Sequence, residues 1–352
     1  MGDSLSDTGA FIGSLNNVLS VMQQDFHVLK WVKEIYFSPP FYKGVSFSDG
    51  PVAVEYVAAG LGLPITAGWS FNITPEFKQW IVQQKSKELS IPVEQILQKE
   101  RLRSTVTYSL HDKVGTNYAV SNARASVGND LPYTLLFNQF QLKNQFNTLI
   151  RHHPDIGEDD LFIIMIGGND VMAAVFSKDA VGIINESITE ISNVLELLAK
   201  RNVKHIVVAN VPDIGLIPAF INTSKQLVAT QLTQDFNQKL NDKIENFRKM
   251  YPEIDIRLFD INNTLKNVII DYKKKGKNIS KACVSDIADH QNLMTLLELI
   301  LTGELRATYN PPCSKYEICN YLFFDYFHPS ALVHKTAGDT LYNLIVNPEK
   351  FR

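Results

Sequence analysis

Long hydrophobic runs are the first thing this chain of 352 residues lacks. The longest apolar stretch, 161–166, suits a buried strand and falls far short of the ~20 residues that span a bilayer. An excess of one charge is lacking too, with 34 Lys and Arg against 37 Asp and Glu and a net charge of −3. The single basic block, Lys273-Lys274-Lys275, stands before Gly276 as a solvated turn would, so nucleic-acid binding has no electrostatic support. The sequence contains no Walker loop, no GxGxxG run and no metal-ligand cluster, and neither a cofactor nor a metal is expected. No signal-peptide pattern is read within these residues. Cysteine is scarce, and Cys283, Cys313 and Cys319 all fall late. That grouping suits one disulfide plus an odd thiol in an oxidising compartment; idle reduced thiols are the alternative, and the spacings do not pair as zinc doublets.

What is present is a core-forming composition, 45% hydrophobic and 20% charged. Apolar strand patterns at 161–166, 205–210 and 254–261 alternate with helical ones. Ile184, Ile188, Ile191, Leu195 and Leu198 repeat at helical spacing, as do Leu232, Phe236, Leu240, Ile244 and Phe247. Continuous apolar strands alternating with helices mark a parallel sheet covered on both faces. The expectation is one α/β domain over 1–352, a parallel sheet flanked by helices, with insertions. A short strand is expected over 114–125, an amphipathic helix over 133–149 and a closing helix over 331–345. Asp49 and Pro51 are placed to start a helix whose inner face carries Val52, Tyr56, Ala59 and Leu63. Residues 75–113 read as a polar helical insertion, and the pattern breaks over 279–320.

Four short blocks carry chemistry. The first is Gly2-Asp3-Ser4-Leu5, extended by Ser6-Asp7-Thr8-Gly9. Asn117-Tyr118-Ala119-Val120 and Gly167-Gly168-Asn169-Asp170 follow, and Asp325-Tyr326-Phe327-His328-Pro329 comes last. In a parallel sheet, ligands bind beyond the carboxyl ends of the strands, where Ser4, Ser121 and Asn169 would converge. A serine hydroxyl needs an adjacent base, and His328 with Asp325 three residues earlier can supply an oriented one. Asn169 and the backbone N–H groups of Ser4 and Ser121 are candidate donors to an oxyanion. His152 and His153 read as solvated, and Asp213 as structural. A nucleophile turn follows a buried strand in such folds, yet only Met1 precedes Gly2. A first strand and an export signal are therefore expected ahead of this numbering.

These blocks, in this order, resemble the GDSL (SGNH) hydrolases across the whole chain. Ser38-Pro39-Pro40-Phe41-Tyr42 with Phe47-Ser48-Asp49-Gly50-Pro51-Val52 is similar to the SPPYY…FSNGPVW segment of the bacterial phospholipase/lecithinase/hemolysin branch, especially the glycerophospholipid:cholesterol acyltransferases. Asn210-Val211-Pro212-Asp213-Ile214-Gly215 resembles its NLPDLG segment, and Phe323-Phe324-Asp325-Tyr326-Phe327-His328-Pro329 its FWDxxHPT block. The resemblance implies Ser4 as nucleophile, Asp325 and His328 as its partners, and Ser4, Ser121 and Asn169 around the oxyanion. At Ser121 and Asn122 the family carries glycine or another small residue. It further implies a Cys283–Cys319 disulfide closing a loop that an activating protease could cut, and a secreted or cell-surface protein. The implied activity is transfer of a phospholipid acyl group to water or cholesterol at a membrane or micelle surface. A short-chain or carbohydrate esterase, and a catalytically silent membrane-binding protein, are the alternatives.

Overall fold

The computed structural model describes residues 1–24, 30–71, 112–129, 137–285 and 302–347, together with Gln83 and Leu299. In chain order these form α1 (Ala10–Gln24), β1 (Tyr36–Phe37), α2 (Ala53–Leu61), α3 (Leu142–His152), β2 (Leu161–Ile164), α4 (Gly168–Phe176) and α5 (Ala180–Ala199). Next come β3 (His205–Ala209), α6 (Gln226–Met250), β4 (Asp255–Phe259), α7 (Ile261–Lys274), β5 (Asn278–Ala282) and β6 (Val284–Ser285). The chain ends with β7 (Glu304–Leu305), β8 (Thr308–Tyr309), β9 (Tyr321–Phe323) and α8 (Ala331–Val346).

The fold is α/β. Strands β2, β3 and β4 pair in parallel in that order, with Ile163 opposite Val207 and Val207 opposite Arg257. Gly2 bridges Met165 in parallel just beyond β2. Asp3 N donates to Met165 O and Met165 N to Met1 O, both at 3.1 Å. On its other side Gly2 O accepts from Val120 N at 3.1 Å. Met1 and Gly2 thus occupy the strand position expected before the nucleophile turn.

Successive strand side chains point to opposite faces, and β3 shows both faces filled. Ile206 and Val208 belong to the large core with α4, α5 and α6, while Val207 and Ala209 pack with Val57, Leu341 and Leu344 of α2 and α8. Burying an aliphatic side chain this fully contributes roughly 1.5–3 kcal/mol, so the β3 run favours a sheet covered twice. Side-chain acceptors set two of the helix starts at the surface. Asp179 accepts from Gly182 N at α5 and Asp260 from Asn263 N at α7.

Several local expectations give way to the structure. Residues 114–125 form no continuous strand. Isolated bridges pair Ala67 with Asn117 and Trp69 with Lys113, and a turn follows. Asp49 does not start α2. Its Oδ1 accepts from Ala331 N at 2.8 Å and caps α8 across the fold, while Glu55 accepts from Val52 N. The buried face of α2 is Ala53, Val54 and Val57, and Leu63 lies exposed beyond the left-handed Gly62. His152 and His153 are not free in solvent. They bond to Tyr118 Oη, Asp112 and Gly115 O, and so hold segment 112–118. Asp213 is structural, accepting from Gly215 N and Thr230 Oγ1. The helical reading of 75–113 lies outside the described residues apart from Gln83, Asp112 and Lys113, and the 133–149 helix is observed as a 3-10 turn (Phe137–Phe140) followed by α3.

The disulfide also differs from its expected pairing. Cys283 bonds to Cys313, with their Cα atoms 5.4 Å apart, and Cys319 is an exposed free thiol. Antiparallel pairing of β6 with β8 returns the chain beside Cys283, and Asn310 fastens it there through N–H to Cys283 O and Nδ2 to Ala282 O. Cys319 instead sits in the turn before β9, where its carbonyl accepts from Lys277 Nζ. Residues 286–298 of the proposed protease-sensitive loop lie outside the described part.

Candidate active site

The site lies beyond the carboxyl ends of the strands, where a parallel sheet leaves a crevice. Gly2 permits the approach that sets Ser4 in place, because a Cβ there would stand 2.4 Å from Met165 O. Gln145 of α3 clips this glycine from the side. Its Oε1 accepts from Gly2 N at 2.8 Å, and its Nε2 donates to Gly2 O at 2.7 Å. Ser4 then sits in the tight turn closed by Ser6 N to Asp3 O. Its own N–H makes no hydrogen bond among the described residues, whereas Leu5 N donates to Asp3 Oδ1.

The last block reaches Ser4 from the opposite end of the chain. Asp325 is fully buried, and its Oδ1 accepts from the N–H groups of Phe327 and His328, each at 2.7 Å. Its Oδ2 lies 2.7 Å from His328 Nδ1, and His328 Nε2 lies 2.8 Å from Ser4 Oγ. A carboxylate only accepts, so Nδ1 carries the proton toward Asp325, and Nε2 is left to accept from the Ser4 hydroxyl. Phe47 stacks on the imidazole at 5.0 Å between ring centres, fixing the ring plane. Phe324 N to His328 O and Ser330 N to Leu322 O close the loop beneath. Geometry thus joins Ser4, His328 and Asp325 into one hydrogen-bonded chain.

Asn169 opens α4 after Gly167, whose φ of 125° suits glycine and where a Cβ would overlap the Phe236 ring. The Asn169 amide is almost buried, and its Nδ2 donates to Ala123 O at 2.9 Å. That bond holds the side chain at the groove wall.

Ser121 is placed otherwise than expected. Its N–H and Oγ both donate to Asp7 Oδ2 at 2.8 Å, and the residue is fully buried. An amide aimed at Asp7 is not presented to Ser4, so Ser121 leaves the set of oxyanion donors. The next residue, Asn122, takes φ 65°, and asparagine is among the non-glycine residues that best tolerate that region. Asp7 also accepts from the N–H groups of Gly9, Ala10 and Phe11, capping α1. Further along, buried Asp170 accepts from Ala125 N, Ser126 N, Ser126 Oγ and Ser187 Oγ. Two carboxylates therefore clamp segment 121–126 from either end. Sequence reasoning missed Gln145, Asp7 and Asp170 as positioning groups. Asp7 and Asp170 lay inside the quoted blocks, but no local pattern marked Gln145.

Burial shapes the electrostatics. Asp3 is pushed up to about 7 by burial; facing Asp170 raises it further, while the Leu5 N–H and His328 oppose the rise. Burial also raises Asp7 despite its five hydrogen bonds. His334, on α8 behind the groove, is pulled down to about 3 by burial and by His328, so it stays neutral. Beside Ser4 and His328 opens a groove of about 990 Å³, its open mouth included. Its walls are mostly apolar, with Met172, Ile214 and Ile217 on one side and Leu265, Val268 and Val333 on the other. Among the described residues no group of three or more His, Cys, Asp or Glu could hold a metal, and no helix is long and apolar enough to cross a membrane.

A serine whose hydroxyl faces a carboxylate-oriented imidazole, beside a free main-chain N–H, is the arrangement of a serine hydrolase. Comparison with known proteins agrees. The GDSL-like lipase/acylhydrolase family model matches residues 1–341, and the chain belongs to that family, whose members are serine ester hydrolases. A GDSL esterase/lipase of Arabidopsis thaliana is 26% identical over 187 residues, 49% of this chain and 47% of that protein. The chain therefore spans about half the length of the curated relative it matches.

Proposed function

We propose that this protein is a lipid acyl hydrolase, a phospholipase A or lysophospholipase that forms an acyl-enzyme on Ser4. The fatty acid then passes to water or to a sterol hydroxyl. The observation that carries this reading is the apolar groove opening directly from the Ser4–His328 pair, which suits an acyl chain better than a sugar or a charged ligand. In this mechanism Ser4 Oγ attacks the ester carbonyl while His328 Nε2 takes its proton. Asp325 holds the tautomer and stabilises the imidazolium. Ser4 N–H and Asn169 Nδ2 donate to the oxyanion, and His328 returns the proton to the departing alcohol. Water or a second alcohol enters by the same route in reverse. The disulfide supports action outside the reducing cytoplasm, at a membrane or micelle surface where such substrates reside.

The test uses phosphatidylcholine–cholesterol vesicles, with Ser4→Ala as control, following free fatty acid and cholesteryl ester together. Cholesteryl ester that requires Ser4 supports acyl transfer, and fatty acid alone limits the reading to a phospholipase. Turnover of soluble short-chain esters without either lipid product would replace it by a short-chain esterase. Lipid binding with no acyl-enzyme burst from an activated ester would leave a silent binder.

A further inference from the structure

One wall of the groove continues onto the surface as an apolar patch that the proposed chemistry does not use. Met172 lines the groove on α4, and Phe176 follows one turn later, 71% exposed. Ile217 lines the same wall, and Phe220, three residues on, packs its ring 5.9 Å from Phe176. Lys225 Nζ lies 5.7 Å above the Phe176 ring, and Leu227 and Val228 beside it are exposed, Leu227 at 67%. Val181 adds a further exposed aliphatic at the start of α5. The patch is tied to the catalytic loop as well. Ala219 N donates to Tyr326 O at 3.1 Å, two residues before His328, and Tyr326 is itself exposed.

The charges around it are uneven. Lys178 and Lys225 are exposed at its edge, while Asp179 nearby spends one carboxylate oxygen on Gly182 N. Phe176 sits seven residues along α4 from Asn169, about 10 Å at 1.5 Å per residue. That separation is comparable to a medium acyl chain laid along the groove wall. Large apolar side chains in a cluster, with Lys178 and Lys225 at its edge and continuous with an apolar groove, match an interface more closely than solvent.

We infer that Phe176, Val181, Leu227 and Val228, with Lys178 and Lys225 at their edge, form the surface that docks this protein on an anionic phospholipid membrane, mouth of the groove downward. Phospholipid headgroups meet the two lysines, and the apolar side chains enter the acyl boundary. A lipid then reaches Ser4 along Met172 and Ile217 without crossing water. This rests on the lipid-hydrolase reading, but its test does not need turnover.

The experiment is flotation of the Ser4→Ala protein with phosphatidylcholine vesicles containing phosphatidylglycerol, and with phosphatidylcholine alone. The Phe176→Ser/Leu227→Ser pair is expected to weaken partition to both by at least roughly tenfold, because two large apolar groups no longer leave water. Lys178→Gln with Lys225→Gln is expected to weaken binding to the anionic vesicles alone, and more so at low salt. Met250→Ser, an equally exposed position on the far end of α6, serves as reference and should bind normally. In the Ser4 protein, the apolar pair should hydrolyse a soluble short-chain ester at the unaltered rate, which also reports correct folding. Unchanged vesicle binding in the apolar pair, or an equal loss in Met250→Ser, overturns the proposal. So does a dimer in buffer that the apolar pair dissolves while vesicle binding stays intact, since the patch would then serve a second copy of the chain. Ser4-dependent release of fatty acid from the vesicles together with normal docking upholds both readings. Docking without any Ser4-dependent activity would sink the hydrolase reading alone.

Discussion

Around Ser4 the working groups are side chains held by their own loops; around residues 121–126 the groups that matter are main-chain amides held by side chains from elsewhere. Asp325 takes the N–H groups of Phe327 and His328 and so orients His328 within four residues of sequence. Segment 121–126 instead depends on Asp7, more than a hundred residues earlier, and on Asp170, more than forty later. The contrast teaches where substitution is tolerated. In the first half a changed letter removes the chemistry. In the second, the letters at Ser121 and Asn122 matter less, because the backbone path is set by the two carboxylates and a tolerated left-handed φ at Asn122.

Four measurements would break or sharpen that contrast. Asp325→Asn is expected to reduce kcat on a soluble ester by about 10⁴-fold with little change in KM, since the imidazole loses its orienting acceptor. A loss under tenfold would mean His328 is oriented by something else. Asn169→Ala should lower kcat by roughly 10²–10³-fold, the usual effect of one missing oxyanion donor. An effect confined to KM would instead assign it to substrate binding.

The third measurement concerns Asp3, which faces both halves through His328 and Asp170. A carboxyl raised to about 7 when folded, against ~3.9 unfolded, holds its proton more tightly in the native state. Its contribution to stability is therefore complete below about pH 4 and is lost as pH rises through 7. Urea denaturation at several pH values should show the wild type losing on the order of 3 kcal/mol relative to Asp3→Asn between pH 4 and 8. A pH-independent difference would contradict the burial effect. The smallest expected change is Ser121→Ala. It removes one hydrogen bond to Asp7 and should cost about 1 kcal/mol in stability, with kcat within about twofold. A tenfold fall in kcat would return Ser121 to the site itself.

Much of this arrangement was legible in residue letters and spacing. Ser4, Asp325 and His328 announce themselves by side-chain type, and a three-residue spacing lets one loop present both Asp325 and His328. The doubly covered sheet was legible in the apolar run of β3, whose four buried residues serve two cores. Ser121 was misread because a residue letter does not say which way its N–H points. Asp49 was misread for a related reason, since an acidic residue before a helix pattern can cap any helix end that folding brings near it. Cys313 and Cys319 are close neighbours in sequence, so the letters do not decide which reaches Cys283.

By itself, then, the sequence determined the class of fold, the residue types of its candidate nucleophile and base, and the family to which the chain belongs, because each rests on periodicity or on side-chain identity. Tertiary structure decided the rest: the Gln145 clip on Gly2, the Asp7 and Asp170 clamps, the Cys283–Cys313 bond and the groove beside Ser4. Each depends on a direction in space, a donor aimed at an acceptor or two Cα atoms brought within bonding reach. Such directions exist only once distant segments have packed.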